Sequence, residues 1–267
     1  MQSEKNMPPR RQLLIGGTGL VAGLGAAALG FRLHEQHANA SEIAADPRPP
    51  AVREFTTRAA QIREIQSRQT RELIHSLKAK YENPVFGKVR VWDMIEKLGM
   101  CVDASDDSLL LTSQFVHVQQ VLERMEIDKV QDPDLFLVAL LHDLGKVMLL
   151  SDEVPEHAVG YTTPCGEFEA GVGLANVLLQ FGHDELIYSR MKDHVPEHIA
   201  WTIRYHSTSL SAVEPYMNAQ DRENEERYLS KFRVYDQGTK SYAHLPRINL
   251  APYRELIEQT FPHPILI

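Results

Sequence analysis

Cysteine is scarce in this chain, with only Cys101 and Cys165 among 267 residues. The two are not spaced as paired metal ligands, which excludes a thiolate-rich zinc site. Outside the cytoplasm they could form one disulfide, and the sequence leaves their pairing open.

An excess of positive charge is also lacking, because the formal net charge is -8. Proteins that bind nucleic acid neutralise phosphates with a basic surface, so this balance argues against nucleic acid as a partner. The length and the 43% hydrophobic content are sufficient for one substantial folded domain.

A long uncharged hydrophobic segment occurs only near the N-terminus, from Leu13 to Phe31. Arg10 and Arg11 precede it, and Ala38-Asn39-Ala40 offers small residues suited to signal cleavage. Residues 1–40 therefore resemble a twin-arginine export signal, which predicts a periplasmic protein delivered by the export machinery. An uncleaved membrane anchor and a cytoplasmic location are the alternatives.

A proline-rich linker, residues 41–52, is expected between this signal and a folded domain of residues 53–267. In that domain apolar residues recur at helical spacing, which predicts an all-α fold. The predicted helices cover approximately residues 53–80, 92–98, 113–125, 132–146, 174–192, 196–206 and 222–235.

The central predicted helix, residues 132–146, is apolar on every side and ends with His142 and Asp143. Asp132 suits the N-cap and Pro133 the first helical position. A buried carboxylate without a partner costs roughly several kcal/mol, so Asp143 needs a counter-charge. A metal ion would satisfy both side chains, and an ion pair with a distant arginine is the structural alternative.

Six imidazole and carboxylate side chains on five segments are predicted to face the apolar interior. They are His117, His142, Asp143, His183, His206 and Asp236. Nitrogen and oxygen ligands without thiolate are typical of iron, manganese or zinc. Because one catalytic ion takes three or four protein ligands, six predict two ions, bridged by Asp143.

The order of these residues resembles the HD-domain superfamily, and the flanking sequence is most similar to the myo-inositol oxygenase family. The matching segments are Val102-Asp103-Ala-Ser105, Leu140-Leu-His-Asp-Leu-Gly-Lys-Val147, Ala158-Val-Gly160, Gly173-Leu-Ala-Asn-Val177, Gly182-His-Asp-Glu185, Ile203-Arg-Tyr-His-Ser207, Lys231-Phe-Arg-Val-Tyr-Asp236 and Thr239-Lys240.

This resemblance implies an HD-like helical bundle around a mixed-valent Fe(II)/Fe(III) centre that uses O2 to convert myo-inositol, a small cyclic polyol, to D-glucuronate. One iron would be held by His117, His142, Asp143 and Asp236, and the other by Asp143, His183 and His206. A monomer is expected.

By position, the resemblance makes Asp143 and Lys146 catalytic. It implies that the substrate is bound by Arg53, Asp103, Ser105, Lys146, Gly160, Tyr161, His206, Ser207 and Lys240. Tyr161 stands where the family usually has an aspartate, and residues 165–171 form a shorter segment than in typical members. A different polyol is therefore an alternative substrate.

Two other functions use the same residues. A metal-dependent phosphohydrolase of the HD superfamily would activate water with the two ions and bind phosphate through Lys146. A binding protein without catalytic activity would keep the metal for stability alone.

Overall fold

The computed structural model describes residues 48–267 and confirms the all-α prediction. The helices are α1 (Pro50–Ser67), α2 (Arg71–Lys80), α3 (Val91–Lys97), α4 (Gln114–Ile127), α5 (Pro133–Leu141), α6 (Pro155–Ala158), α7 (His183–Met191), α8 (Glu197–Tyr205), α9 (Leu210–Val213), α10 (Ala219–Asn224), α11 (Ser230–Thr239) and α12 (Ala251–Thr260). Two short strands, β1 (Lys88–Val89) and β2 (Ile265–Leu266), pair antiparallel and tie the C-terminus to the segment before α3.

The predicted export signal and all but the last five residues of the predicted linker, 48–52, lie outside the described residues, and the signal stays a prediction. The linker was expected to end at residue 52, but α1 already begins at Pro50. Proline is favoured at the first helical position because its missing N–H is not needed there. No helix within residues 48–267 is both long and apolar enough to cross a bilayer.

Helix α5 is the centre of the main hydrophobic core. Its residues from Leu137 to Leu141 are all buried, and α4, α8, α11 and α12 pack around it. Each such leucine contributes about 1.5–3 kcal/mol relative to an exposed side chain. The prediction of a helix without a solvent face is correct from Leu137 to Leu141, whereas Pro133 is exposed and Leu135 and Phe136 are half-buried. The buried part of the helix fixes the position of the residues that follow it.

The helix predicted to continue to residue 146 in fact ends at Leu141. His142 caps it, Asp143 leaves helical geometry at φ −94° and ψ 1°, and a 3-10 helix follows from Leu144 to Leu150. Because the two helices differ in pitch, the junction changes the direction in which successive side chains point.

The helix predicted from residue 53 to 80 is two helices. Thr70 accepts a hydrogen bond from the Leu73 N–H at 3.2 Å and so caps α2 separately. Ile62 and Ile74 are buried as the apolar stripe predicts, whereas Ile65 is 51% exposed. The predicted stripe assumed one continuous helix. The break between α1 and α2 shifts the helical phase, so the stripe does not continue in register across it.

The helix predicted from residue 174 to 192 is wrong over its first half. A single 3-10 turn, Leu174–Asn176, is followed by extended chain, and α7 begins only at His183. The buried apolar side chains in this extended part alternate along the chain, at Val177, Leu179 and Phe181. Alternation is the period of extended chain, which a helical template overlooks.

The C-terminal prediction was incomplete. The helix expected from residue 222 to 235 is α10, a π-helical turn at Glu225–Leu229 and α11, and it continues to Thr239. Helix α12 was missed, although Pro252 near its start and buried Tyr253 and Ile257, four residues apart, are its signature.

Both cysteines are free thiols, Cys101 buried and Cys165 half-buried. Burial raises the pKa of the Cys101 thiol to about 11, so this side chain stays neutral and acts as a small apolar residue.

A second, smaller core contains Ile62, Ile74 and Tyr81, and Glu153 makes a pH-sensitive contact with Tyr81 at its edge. Its carboxylate accepts hydrogen bonds from Lys80 at 2.6 Å and His157 at 2.9 Å, and from the Tyr81 hydroxyl. Although burial opposes ionisation, these donors lower the pKa of Glu153 to about 2.

Because the folded pKa of Glu153 lies below the ordinary 4.5, its stabilisation is present above pH 4.5 and is lost between about 4.5 and 2. We expect Glu153→Gln to lower the free energy of unfolding by about 1.5–3 kcal/mol at pH 7 and by less at pH 3. Urea denaturation at both values measures this, with exposed Glu226→Gln as control. An equal loss at both values would contradict it.

Candidate metal centre

The six predicted ligand residues come from five elements of the fold and meet in its interior. His117 lies on α4, His142 and Asp143 follow α5, His183 opens α7, His206 follows α8 and Asp236 lies on α11. None of the six is more than 3% exposed. The structure thus brings together residues up to 119 positions apart in the chain.

Asp143 lies between two groups of histidines. Its Oδ2 is 3.3 Å from His142 Nε2 and 3.9 Å from His117 Nε2. Its Oδ1 is 3.4 Å from the Nε2 atoms of both His183 and His206. Two trios of side chains could each hold a metal ion. The first trio is His117, His142 and Asp143, and the second is Asp143, His183 and His206, so the two positions share the Asp143 carboxylate. The Asp143 carboxylate therefore has the arrangement of a bridge.

Three of the histidines are oriented by backbone carbonyls. The Nδ1 atoms of His142, His183 and His206 lie 2.9, 2.9 and 2.7 Å from the carbonyl oxygens of Ala139, Ala158 and Ile203, respectively. A carbonyl accepts only, so each Nδ1 carries the proton and each Nε2 lone pair points into the site. This is the tautomer that a metal requires.

Asp236 is a fourth candidate ligand beside His117, His142 and Asp143. Its Oδ1 lies 3.0 Å from His117 Nε2 and 3.8 Å from His142 Nε2. Burial alone would raise the pKa of Asp236, but Lys240 and His117 hold it well below its ordinary range. An ionised carboxylate among imidazoles is suited to a cation.

Lys146 is buried beside the bridge. Its ammonium donates to Gln114 Oε1 and Asp143 Oδ2, each at 2.9 Å, and lies 2.9 Å from Asp103 Oδ2. Burial opposes the charge, but the carboxylates of Asp103 and Asp143 raise the pKa of Lys146. The lysine is therefore charged, and in turn it lowers the pKa of Asp143 far below its ordinary value despite burial.

A second lysine faces the other end of the site. Lys240 Nζ lies 2.8 Å from Asp106 Oδ2 and 3.9 Å from Asp236 Oδ1. These carboxylates raise the pKa of Lys240 in spite of its burial. The centre thus has a fixed positive charge on each side.

A small cavity of about 80 Å³ opens on these groups. It is lined by eight of the nine predicted substrate-binding residues, namely Asp103, Ser105, Lys146, Gly160, Tyr161, His206, Ser207 and Lys240, and by Asp143. The lining is polar and surrounds the second histidine pair, which suits a small molecule with many hydroxyl groups.

Arg53 is the exception among the predicted residues. It is exposed on α1, its guanidinium donates to the Arg48 carbonyl at 2.9 Å, and it does not line the cavity. Arg63, ten residues further along the same helix, lines the cavity instead and donates to the Ser105 carbonyl. Arg63 thus lies where the prediction placed Arg53, because α1 runs past the site and only its later turns reach it.

Other residues at the site were missed. Asp106 and Gln237 line the cavity, and buried Asp184 lies 2.8 Å from His183 Nε2 and accepts a hydrogen bond from Ser207. Burial lowers the pKa of His183, but Asp184 and Asp143 together raise it to about 10, so a metal ion bound at His183 Nε2 would displace a proton from that atom. The Asp103–Asp107 cluster could have drawn attention to Asp106. Asp184 carried no signal beyond its position next to His183.

Gly145 allows the 3-10 helix to touch the start of α7. A Cβ at this position would lie 2.0 Å from the backbone oxygen of His183. Because that oxygen belongs to the backbone, the clash with a Cβ at position 145 could be relieved only by a shift of the His183 backbone.

We expect Gly145→Ala to lower the free energy of unfolding by about 3 kcal/mol and to reduce bound metal, since the overpacked backbone carries His183. Thermal unfolding and a metal count measure the two effects. Gly238→Ala, which meets nothing within 4 Å on α11, is the control and should lose neither. Full metal content in Gly145→Ala would show that the contact can relax.

Comparison with known proteins agrees with this geometry. The family model described as Myo-inositol oxygenase matches residues 57–162 and 151–267. This chain belongs to the myo-inositol oxygenase family.

Among curated members of the family, "Inositol oxygenase 1" of Arabidopsis thaliana is 30% identical over 234 residues, covering 73% of this chain and 75% of that protein. "Probable inositol oxygenase" of Oryza sativa subsp. japonica is also 30% identical, over 73% of this chain and 75% of its own length. "Inositol oxygenase" of Danio rerio is 29% identical and covers 74% and 84%.

The two regions that match the myo-inositol oxygenase family contribute to different parts of the centre. Residues 57–162 include His117, His142 and Asp143, and residues 151–267 include His183, His206 and Asp236. The family match therefore covers every residue of both trios.

Proposed function

We propose that this protein is a di-iron oxygenase that uses O2 to open the ring of a cyclic polyol, converting myo-inositol to D-glucuronate. The observation that carries the proposal is the Asp143 carboxylate, whose two oxygens face two separate histidine groups in a buried site. Family membership supports oxygenase chemistry over phosphate hydrolysis.

The donor set fits two iron ions. Imidazole nitrogen and carboxylate oxygen are the ligands of non-haem iron, and no described thiol lies in either trio. Among the described residues, His142 Nε2 is buried without a hydrogen-bond partner, as expected of an atom reserved for a metal. We propose that His117, His142, Asp143 and Asp236 hold one iron and that Asp143, His183 and His206 hold the other, as a Fe(II)/Fe(III) pair.

When bound, the iron pair supplies activation of O2 and the acidity that makes a substrate hydroxyl easier to deprotonate. The position at Asp143, His183 and His206 has three protein ligands against four at the other and borders the cavity, so substrate oxygens would approach there. The ammonium of Lys146, beside Asp143, is placed to stabilise negative charge on a substrate oxygen. Lys240 provides the same charge at the opposite side.

Polar side chains of the lining would orient the ring. Asp103 is fixed by its contacts with Ser105, whose N–H and hydroxyl donate to it at 2.8 and 2.6 Å. Together with Ser207 and the Gly160 backbone, it can exchange hydrogen bonds with ring hydroxyls. The reaction balances without an external reductant, because myo-inositol and O2 contain the atoms of glucuronic acid and one water.

The test is incubation of iron-loaded protein with air and myo-inositol. We expect O2 uptake and glucuronate formation in equal amounts, two irons per chain and a paramagnetic resonance signal of a mixed-valent pair. Zinc-loaded protein is the matched control, since zinc cannot exchange electrons. Phosphate release from phosphate esters with either metal, without O2 uptake, would instead identify a hydrolase.

We further propose that the chain acts as a monomer and is exported by residues 1–40. Light scattering of the purified protein tests the first part. N-terminal sequencing of protein recovered from the periplasm tests the second.

A further inference from the structure

A larger outer chamber lies beside the cavity of the metal centre. Its volume is about 470 Å³, against about 80 Å³ for the inner cavity. The two share four lining residues, Arg63, Tyr161, His206 and Gln237. A group attached to a polyol at the second histidine pair could therefore extend past His206 into the outer chamber.

The two spaces differ in charge. Five aspartates line the inner cavity, namely Asp103, Asp106, Asp107, Asp143 and Asp236. The described residues that line the outer chamber include no carboxylate and two guanidinium groups, Arg63 and Arg233. In a protein with a net charge of -8, this local cationic lining selects for negative charge.

Both arginines have N–H groups to offer a ligand. Arg63 makes one hydrogen bond within the described chain, to the Ser105 carbonyl, and Asp107 is 3.9 Å away. Arg233 uses Nε and Nη2 for the carbonyls of Tyr205, His206 and Thr208, which fixes its position. Its Nη1 has no protein partner among the described residues. Such forked donors match the oxygens of phosphate and carboxylate.

Gln66 adds an unused polar group between the two spaces. Gln66 lines the outer chamber and is 1% exposed, yet neither its amide nitrogen nor its oxygen has a hydrogen-bond partner within residues 48–267. The oxygen lies beside Gly160, which lines the inner cavity. A buried amide without partners costs about 1–3 kcal/mol, so a ligand that supplies the missing hydrogen bonds would recover this free energy.

From these contacts we propose that the outer chamber binds an anionic substituent, a phosphate or a carboxylate, carried by the polyol at the metal centre. This inference rests on the proposed function and extends its substrate class from myo-inositol to polyols that carry an anionic group. The substituent takes no part in ring opening and is retained in the product. Arg63 is its principal partner, and Gln66 donates from its amide.

Three substituted substrates test the proposal in iron-loaded protein, each compared with myo-inositol. They are a myo-inositol monophosphate, a glucuronosyl-myo-inositol and a neutral galactosyl-myo-inositol of similar size. We expect kcat/KM for at least one charged compound to exceed that for the neutral disaccharide about tenfold or more. Arg63→Gln should remove most of this preference for the charged compound, and Arg63→Glu should make the neutral compound the better substrate. Exposed Arg68→Gln, at the C-cap of the same helix, should keep the preference for the charged compound.

Anaerobic calorimetry with the same compounds tests the anion site separately from the oxygenase activity. If a charged compound binds more tightly and this binding depends on Arg63, but no polyol gives O2 uptake, the anion site is supported and the oxygenase function is contradicted. A preference for phosphate alone or carboxylate alone supports the inference and identifies the group. Equal binding of neutral and charged compounds, or a preference that survives Arg63→Glu, would overturn it.

Discussion

Asp143→Asn is expected to abolish oxygenase activity and to lower the iron content from two per chain to one or fewer. Asp143 faces His142 through one oxygen and His183 through the other, so both metal positions lose an anionic ligand together. The amide that replaces it offers one neutral oxygen, which cannot bridge two cations in the same way. Iron analysis and O2 uptake measure the change.

Asp103→Asn is the matched control for Asp143→Asn. It removes an equally buried carboxylate that also contacts Lys146 but belongs to neither trio. This variant should keep two irons while KM for the polyol rises. If Asp143→Asn also kept two irons, the bridging role would be wrong, and the proposed centre with it.

Lys146→Met is expected to lower kcat by about 10²-fold or more with the irons still bound. The ammonium lies 2.9 Å from both Asp103 and Asp143 and is the fixed positive charge closest to the bridge. Loss of one preorganised electrostatic group typically costs about 10²–10³ in kcat. Because Asp103 then loses its buried partner, the free energy of unfolding should also fall by about 3–5 kcal/mol.

The double variant Lys146→Met/Asp103→Asn separates these two effects. It no longer buries an unpaired charge at position 103, so stability should partly recover while kcat stays low. Lys192→Met, at an exposed position after α7, should change neither quantity. Recovery of kcat in the double variant would mean that Lys146 acts only through stability.

The sequence predicted the parts of this fold that depend on local pattern. The N-cap Asp132 accepts the hydrogen bond expected of it, and α5 is buried from Leu137 to Leu141. Helical periodicity also placed His117 correctly, since α4 is a regular helix with a buried face. The same rule put His183 inside a helix, whereas it is the first residue of α7.

Where the site departs from regular helix, the side chains face the interior as predicted but the predicted helix bounds were wrong, for a physical reason. Three of the six ligand candidates, His142, Asp143 and His206, lie just beyond a helix end, where side-chain direction follows local backbone angles. Contacts such as that of Gly145 with the His183 carbonyl set these angles. A periodic pattern holds no information about them.

The sequence by itself determined that this chain is helical, that it buries a set of imidazole and carboxylate groups, and to which family it is similar. Only the tertiary structure decided that the two oxygens of Asp143 face different histidines, that Arg63 rather than Arg53 reaches the cavity, and that a cationic chamber adjoins it. Side-chain types and spacing are local properties of the chain. Distances between side chains on separate helices arise only when the helices pack.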